Sequence, residues 1–521
     1  MKSFTHLRVA SGYSFKYGTA HADQLVERAA EFEMSALALT DMDTMAGAIR
    51  FTKSCEANGI APILGINLSF IQKKYRITLL AQSGHLDSLY RLVTAVNLEN
   101  SENLLTHSLL ERFSQYSKNL LVLHGPESQL ASAISARKSA EALSIYNATR
   151  ELFADQAIEC VSHLIRGDGQ FSTSHAARAL GFARDNHLSA VLSNAVRMLD
   201  RSDGPVADVL DAARKLVPLS NKSVSRQNSE AYFKDSSEMS YLSDEISRLA
   251  GERDGRSLLN TTTAWAERAL LSPRKDVGIG AIHLPDAAAL GAKSQGELTA
   301  QLRSRCEAGL SRRYVGSKSV VAASRLEEEL SAIRTLGYES YFLTVADITD
   351  LARNRGIRVA ARGSGAGSLI CHVLGISGVE PITHGLLMER FCSPLRGELP
   401  DIDIDVESAR RLEIYDAVFE KYGQRCATVS MVETYRSRHA IRDVGAALGI
   451  SPMEIDLIAK SMPHIRSSNI PKALANLPEL KDLNLNTPIL KMAIELAGRL
   501  DSLPRHLSMH PCAIVLSDIG L

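Results

Sequence analysis

Short apolar runs recur along the first part of the chain, between stretches whose apolar residues fall at helical spacing. The runs at 36–40, 61–70, 76–81, 119–123, 157–161 and 189–192 read as strands. Helices between several of them give the rhythm of βα units around a parallel sheet or barrel. Beyond residue 200 the pattern changes. Residues 221–240 are rich in Ser, Lys and Asn and 246–271 read as helices, so 201–275 is expected to be a helical connector completing the first region. An amphipathic helix is predicted over 298–314, with Leu302, Cys306 and Leu310 on one face. A short strand at 357–361 and a helix starting at 369–374 follow. After Met431 the pattern is helical again, at 437–448, 452–461, 471–477 and 489–500, broken by loops carrying Pro463, Pro471, Pro478 and Pro504.

Within this frame the densest chemistry is Asp401-Ile402-Asp403-Ile404-Asp405. The two-residue period of a strand puts three carboxylates on one face and two isoleucines on the other. Carboxylates about 7 Å apart along a strand repel one another unless cations lie among them, and hard oxygen donors suit Mg²⁺. The five residues alone favour the plainer reading, a solvated edge strand or a calcium loop, and it is their context that weakens it. Upstream, Arg362-Gly363-Ser364-Gly365-Ala366-Gly367-Ser368 joins the predicted strand to the predicted helix. Glycines allow the backbone close to an anion, and unpaired N–H groups at a helix start favour negative charge. No Lys follows the last glycine, so this is not a Walker A loop, and the spacing does not fit the dinucleotide fingerprint. With Arg353, Arg355, Arg358 and Arg362 before it and Arg390 between the two motifs, the segment is a candidate site for a nucleoside triphosphate and Mg²⁺.

Composition narrows the class. A chain of 521 residues with 45% hydrophobic content is long enough for several domains and cores. Without a run of 18 apolar residues or an apolar signal region at the N-terminus, neither a membrane span nor secretion is expected, and cytoplasm is the default. The seven cysteines are scattered and never in C-x-x-C spacing, which predicts reduced thiols. With 59 basic against 59 acidic residues, any contact with nucleic acid depends on local basic patches.

The runs RGSGAGSLICHVLGI, LLMERF and LPDIDIDVE, with LGYESYFLTVADI upstream and AIRDVGAALGISP downstream, resemble the palm of bacterial C-family DNA polymerases, the DNA polymerase III alpha subunits. VETYRSRHAIRD and LPRHLSMHP are similar to the error-prone branch of that family. The resemblance implies an α/β multidomain fold: a PHP-type βα barrel over 1–200 completed by 201–275, a mixed α/β nucleotidyltransferase-like palm over 276–432, a small helical thumb over 433–504, and the start of a returning palm segment at 505–521. It implies DNA-directed DNA polymerase activity, with Asp401 and Asp403 holding two Mg²⁺ ions. Gly363, Ser364 and Gly365 would hold the triphosphate, Arg362 and Arg390 would neutralise it, and Asp405 would support the strand. Arg436, Arg438 and Arg442 would touch the phosphates of duplex product, or else form a solvated helix face. The implied partners are primer-template DNA, dNTPs and other replication or translesion proteins, with a sliding clamp bound through a region this chain lacks. The family's third catalytic aspartate is expected beyond the segment resembled by 505–515, and the chain stops at Leu521. A fragment or truncation with little activity of its own is therefore expected, and a catalytically silent DNA-binding or complex-forming piece is the alternative.

In the barrel the departures from the family matter more than the match. Of its opening metal motif the chain keeps His6 but has Arg8, Ala10 and Tyr17 at ligand positions. Met42 replaces a histidine, Asn67 a glutamate, and Ala195 and Arg197 a late Asp–His pair. Arg, Met and Ala offer a divalent cation no hard donor, so no barrel metal is expected and His6, Asp41, Glu159 and His163 read as relics. A PHP phosphoesterase or exonuclease ranks last among the functions.

Overall fold

The computed structural model describes residues 3–70, 72–99, 105–153, 155–224, 228–316, 318–388, 392, 400, 402–477, 480 and 487–518. Two compact units interleave along the chain: Met1–Gly280 with Val432–Leu507, and Ala281–Met431 with Ser508–Leu521.

The first unit is built on six strands, β1 (Ala36–Met42), β2 (Ala61–Phe70), β3 (Gln72–Ala81), β4 (Leu120–His124), β5 (Asp155–Val161) and β6 (Ser189–Ser193), which neighbour one another in sequence order. β1–β2, β4–β5 and β5–β6 are parallel, as βα units require. β2–β3 and β3–β4 are antiparallel, which corrects the expectation of a parallel sheet. One residue separates β2 from β3, far too few for the crossover that a parallel pair needs.

The N-terminal segment closes the ring. Its carbonyls at His6 and Val9 accept from Ala38 and Thr40 of β1 at 3.0 and 2.8 Å. On its other side Arg8 and Ala10 exchange hydrogen bonds with Val196 at 3.0 and 2.8 Å. Side chains then alternate between lumen and outer wall. Leu121 and Leu123 of β4 join Leu7, Ala38, Ile63, Leu80, Ala157 and Val191 in one buried cluster, while Leu120 and Val122 pack outward against helices. Small residues at Ala36, Ala38 and Ala157 leave room for Trp265, Ala266 and Ala269 to plug the lumen from the helix Arg256–Arg268 and its cap.

Within the same unit, helices Ser437–Ala447, Pro452–Ser461, Ile470–Asn476 and Pro488–Arg499 share a core with Gly204–Lys215, where Val206 and Leu210 meet Ala440, Val444, Ile458 and Leu496. Their starts are written locally: Ser451 and Thr487 accept from the N–H groups of Glu454 and Leu490, and proline stands at the next position of each.

In the second unit the helices Gln295–Arg313, Lys318–Leu336 and Glu339–Asn354 bury Leu302, Leu326, Ile333 and Phe342 against Leu369 and Ile370. Beside them β7 (Val359–Arg362) pairs antiparallel with β8 (Asp403–Val406). β9 (Cys426–Thr434) and β10 (Pro504–Leu516) form a further two-stranded sheet. Among the described residues no helix is long and apolar enough to cross a membrane.

Candidate functional site

In the first unit, the residues that the family resemblance sets at ligand positions have protein partners. The Arg8 guanidinium reaches Glu159 Oε2 at 3.2 Å and also pairs with Glu127. Glu159 is fully buried, and its second oxygen has no partner among the described residues. Gly125 makes this approach possible, since a Cβ there would lie 2.1 Å from Glu159 Oε2 and 2.8 Å from Arg8 Nη1. Arg197 lies 4.0 Å over the Tyr17 ring and pairs with Asp211 at 2.8 Å. Asn67 donates to Thr78 at 2.9 Å and accepts from Arg76.

Asp41 accepts from Ser14 Oγ and the Ser11 N–H, each at 2.7 Å. Burial nevertheless outweighs these bonds and pushes its carboxyl up to about 6. His6 is wedged between Phe4 and Phe233 and donates Nε2–H to the Lys234 carbonyl at 2.9 Å. His163 stacks on Phe171 and donates to the Asn194 carbonyl at 2.8 Å. Burial lowers both imidazoles to about 4, so they are neutral and carry the proton on Nε2, opposite a carbonyl that can only accept. Among the described residues no three His, Cys, Asp or Glu side chains converge as metal ligands do. The cationic charge at these positions is supplied by guanidinium groups.

In the second unit the register of β7 against β8 sets Arg362 opposite Asp403 and Ala360 opposite Asp405. The Arg362 guanidinium spans the two acids, Nη1 to Asp403 Oδ2 at 3.2 Å and Nε to Asp405 Oδ1 at 3.0 Å. One cation touching both shows that these carboxylates share a face, as the alternation predicts. All three side chains are substantially exposed. Arg362, assigned to a triphosphate from sequence, is here the counter-ion of the acids. Asp401 and Arg390 lie outside the described residues.

The glycine-rich segment leaves β7 as a 3₁₀ turn, Gly363–Gly367, containing Ser364 and Gly365, and continues into the helix Leu369–Val373. Gly363 has φ +79°, and a Cβ at this position would lie 3.7 Å from Asp403 Oδ2. The turn thus begins beside the acids. At its other end, the N–H groups that the sequence offered to phosphate are already taken. Glu329 accepts from Leu369 N at 2.9 Å and Ile370 N at 3.0 Å. It also accepts from Ser368 Oγ at 2.9 Å, and its salt bridge to Arg325 is 2.9 Å long. The anion at this helix start belongs to the protein. Sequence reasoning missed Glu329. The signal was an acid within the apolar stripe of Leu326, Leu330 and Ile333, a position where burial is tolerated only with partners.

Of the three arginines read as phosphate contacts, Arg438 donates to the Met462 carbonyl at 2.8 Å and Arg442 pairs with Asp456 at 2.9 Å. Arg436, at the start of the helix Ser437–Ala447, is exposed.

Comparison with known proteins matches two families to separate parts of the chain. The family described as the bacterial DNA polymerase III alpha NTPase domain matches residues 300–521, and the PHP domain family matches 6–163. An error-prone DNA polymerase of Symbiobacterium thermophilum is 32% identical over 536 residues, covering 99% of this chain and 47% of that protein. DNA polymerase III subunit alpha of Bacillus subtilis is 29% identical, covering 99% of this chain and 45% of its own length. The chain therefore spans a little under half the length of these curated relatives. Among solved structures, an amidohydrolase of Chromobacterium violaceum overlaps 37% of this chain and 87% of its own, at 13% identity and a TM-score of 0.26.

Proposed function

Because the chain belongs to the bacterial DNA polymerase III alpha family, in which the error-prone DNA polymerases stand beside it, we propose that its second unit is the metal- and nucleotide-binding part of a DNA-directed DNA polymerase. The reaction is transfer of a nucleotidyl group from a dNTP to a primer 3′-hydroxyl on template DNA, in the cytoplasm, alongside other replication or translesion proteins. One observation carries the reading: antiparallel pairing of β7 with β8 brings a glycine-rich turn and a row of carboxylates to one edge.

The donor set fits the metal that this chemistry uses. Asp403, with Asp401 two residues before it in the sequence, would hold Mg²⁺ through carboxylate oxygen alone, and the exposure of Asp403 leaves room for water and phosphate oxygens. Mg²⁺ bound there would favour ionisation of the 3′-hydroxyl and neutralise charge on the leaving pyrophosphate. The protein's part is positional and electrostatic. Gly363 and Gly365 present backbone without side chains to the triphosphate, and Arg362 and Arg390 add positive charge. Arg362 reaches either acid from the mouth of the turn, so it can keep Asp403 and Asp405 from repelling one another while the triphosphate is absent.

The barrel serves as a scaffold in this reading, its guanidinium–carboxylate pairs standing where relatives of active phosphoesterases would need metal. The test is equilibrium binding of dNTP by the purified chain with and without Mg²⁺, beside primer extension on a template. Mg²⁺-dependent binding that is lost in D401N and D403N supports the reading. Binding that is indifferent to both substitutions would overturn it.

A further inference from the structure

Glu329 and Arg325 grip the glycine-rich turn from behind, at the end remote from the acids. The Glu329 side chain is 3% exposed and gathers four donors on its two oxygens: Leu369 N and Arg325 Nε on Oε1, Ser368 Oγ and Ile370 N on Oε2. Arg325, on the same face one helical turn earlier, extends its other arm to the Gly367 carbonyl at 2.6 Å. Both groups rise from Lys318–Leu336, whose Leu326 and Ile333 are locked into the core of the unit. Four polar contacts therefore tie residues 367–370 to a packed helix, and the Arg325–Glu329 pair braces them.

The other end of the turn is tied by β7 to β8. Only residues 363–366 lie between these anchors, and Gly363 and Gly365 among them have no side chain to define their own conformation. The direction of the turn's N–H groups, and their distance from Asp403, are thus set by the two ends. A carboxylate is suited to the rear anchor because its two oxygens accept four bonds while donating none.

We propose that Glu329, with Arg325, is the positioning residue of the nucleotide site: it touches no substrate and fixes the turn that binds triphosphate relative to the carboxylates that bind metal. This rests on the reading of the turn as a dNTP site. Replacement by Gln substitutes an NH₂ for one acceptor, so at least one of the N–H groups of Leu369 and Ile370, or an Arg325 arm, faces a donor instead of an oxygen. The turn then loses its rear alignment while the acids on β8 keep theirs.

The experiment compares wild type, E329Q, R325K and the control E328Q, an exposed neighbour on the same helix, using the whole chain at a temperature where each is folded by circular dichroism. Two dissociation constants are measured: Mg²⁺ alone, and dATP at saturating Mg²⁺. The expected result for E329Q is dATP affinity weakened by about tenfold, a change of about 1.4 kcal/mol, with Mg²⁺ affinity unchanged. R325K keeps the charge but loses the clasp on Gly367, and is expected to weaken dATP about threefold; it carries the test if E329Q does not fold. E328Q should match wild type. A purely structural role would lower the melting temperature and leave both constants where they were, and that outcome overturns the proposal, as does equal loss of Mg²⁺ and dATP affinity. Failure of wild type itself to bind dATP would overturn the nucleotide-site reading first and this proposal with it.

Discussion

Replacing Arg8 with Met should expose what the barrel gains from its guanidinium. The side chain is 9% exposed, Glu159 beneath it is fully buried, and the second carboxylate it serves, Glu127, is partly solvated. Removing Arg8 leaves Glu159 charged, buried and beside a glycine that offers no side-chain donor, whereas Glu127 can be hydrated. Breaking one side of a buried pair typically costs about 3–5 kcal/mol, against near neutrality when both partners are replaced by uncharged groups. Arg8→Met is therefore expected to cost about 3 kcal/mol or more, and Arg8→Met with Glu159→Gln to recover most of that loss. The assay is built into the fold. Trp265 is the only tryptophan in the chain and sits in the lumen cluster, so its fluorescence during urea titration reports the barrel alone. With a dependence of about 1–3 kcal/mol per molar urea, the single variant should lower the midpoint by about 1 M or more. A shift below about 0.3 M, or a double variant no more stable than the single, would refute the reasoning.

Acid should destabilise the barrel between pH 6.5 and 4. His6, His124 and His163 are held at about 4 by burial, so the folded state binds fewer protons than the unfolded one in that window and loses stability as pH falls through it. Asp41, raised to about 6, acts in the opposite sense, gaining as pH falls from about 6 to 4. At about 1.4 kcal/mol per pH unit the three histidines outweigh the one acid, and the Trp265 melt followed against pH checks the sign. Asp403→Asn should abolish Mg²⁺ binding to the second unit while leaving its circular dichroism intact, as measured by calorimetric titration. For DNA, Arg436→Ala should reduce the slope of log affinity against log salt by about 1, whereas Arg442→Ala, already paired with Asp456, should alter it less; filter binding across a salt series distinguishes them.

Local patterning exposed what local physics determines. β1, β2, β4, β5 and β6 are short, largely apolar runs buried on both faces, so their positions could be read directly. The reversal at β3 was not visible, because apolar runs carry no direction. Nor was the closure by residues 6–10, which depends on hydrogen bonds to β1 and to Val196, almost the length of the barrel away in sequence. In the second unit the alternation of Asp403 and Asp405 with Ile404 announced a shared face, and their common contact with Arg362 agrees with it. The glycine pattern marked the turn but could not say that Glu329, more than thirty residues earlier, fills the helix start behind it. Side chains bonding to distant backbone leave no periodic trace, only an acid out of place in an apolar stripe.

The interleaving of the two units bears on how the chain is made. A ribosome emits Met1–Gly280 first, yet the helices that bury Val206 and Leu210 arrive only with Val432–Leu507, after the bulk of the other unit. Until then the apolar face of Gly204–Lys215 has no permanent cover, while 281–431 can gather its own helices as they emerge. Synthesis at about 5–20 residues per second puts roughly 10–50 s between that helix and the first residues of its partners. The first unit thus cannot complete its core until the segment beyond residue 432 has emerged, which leaves for that interval a sticky surface of the kind that chaperones bind.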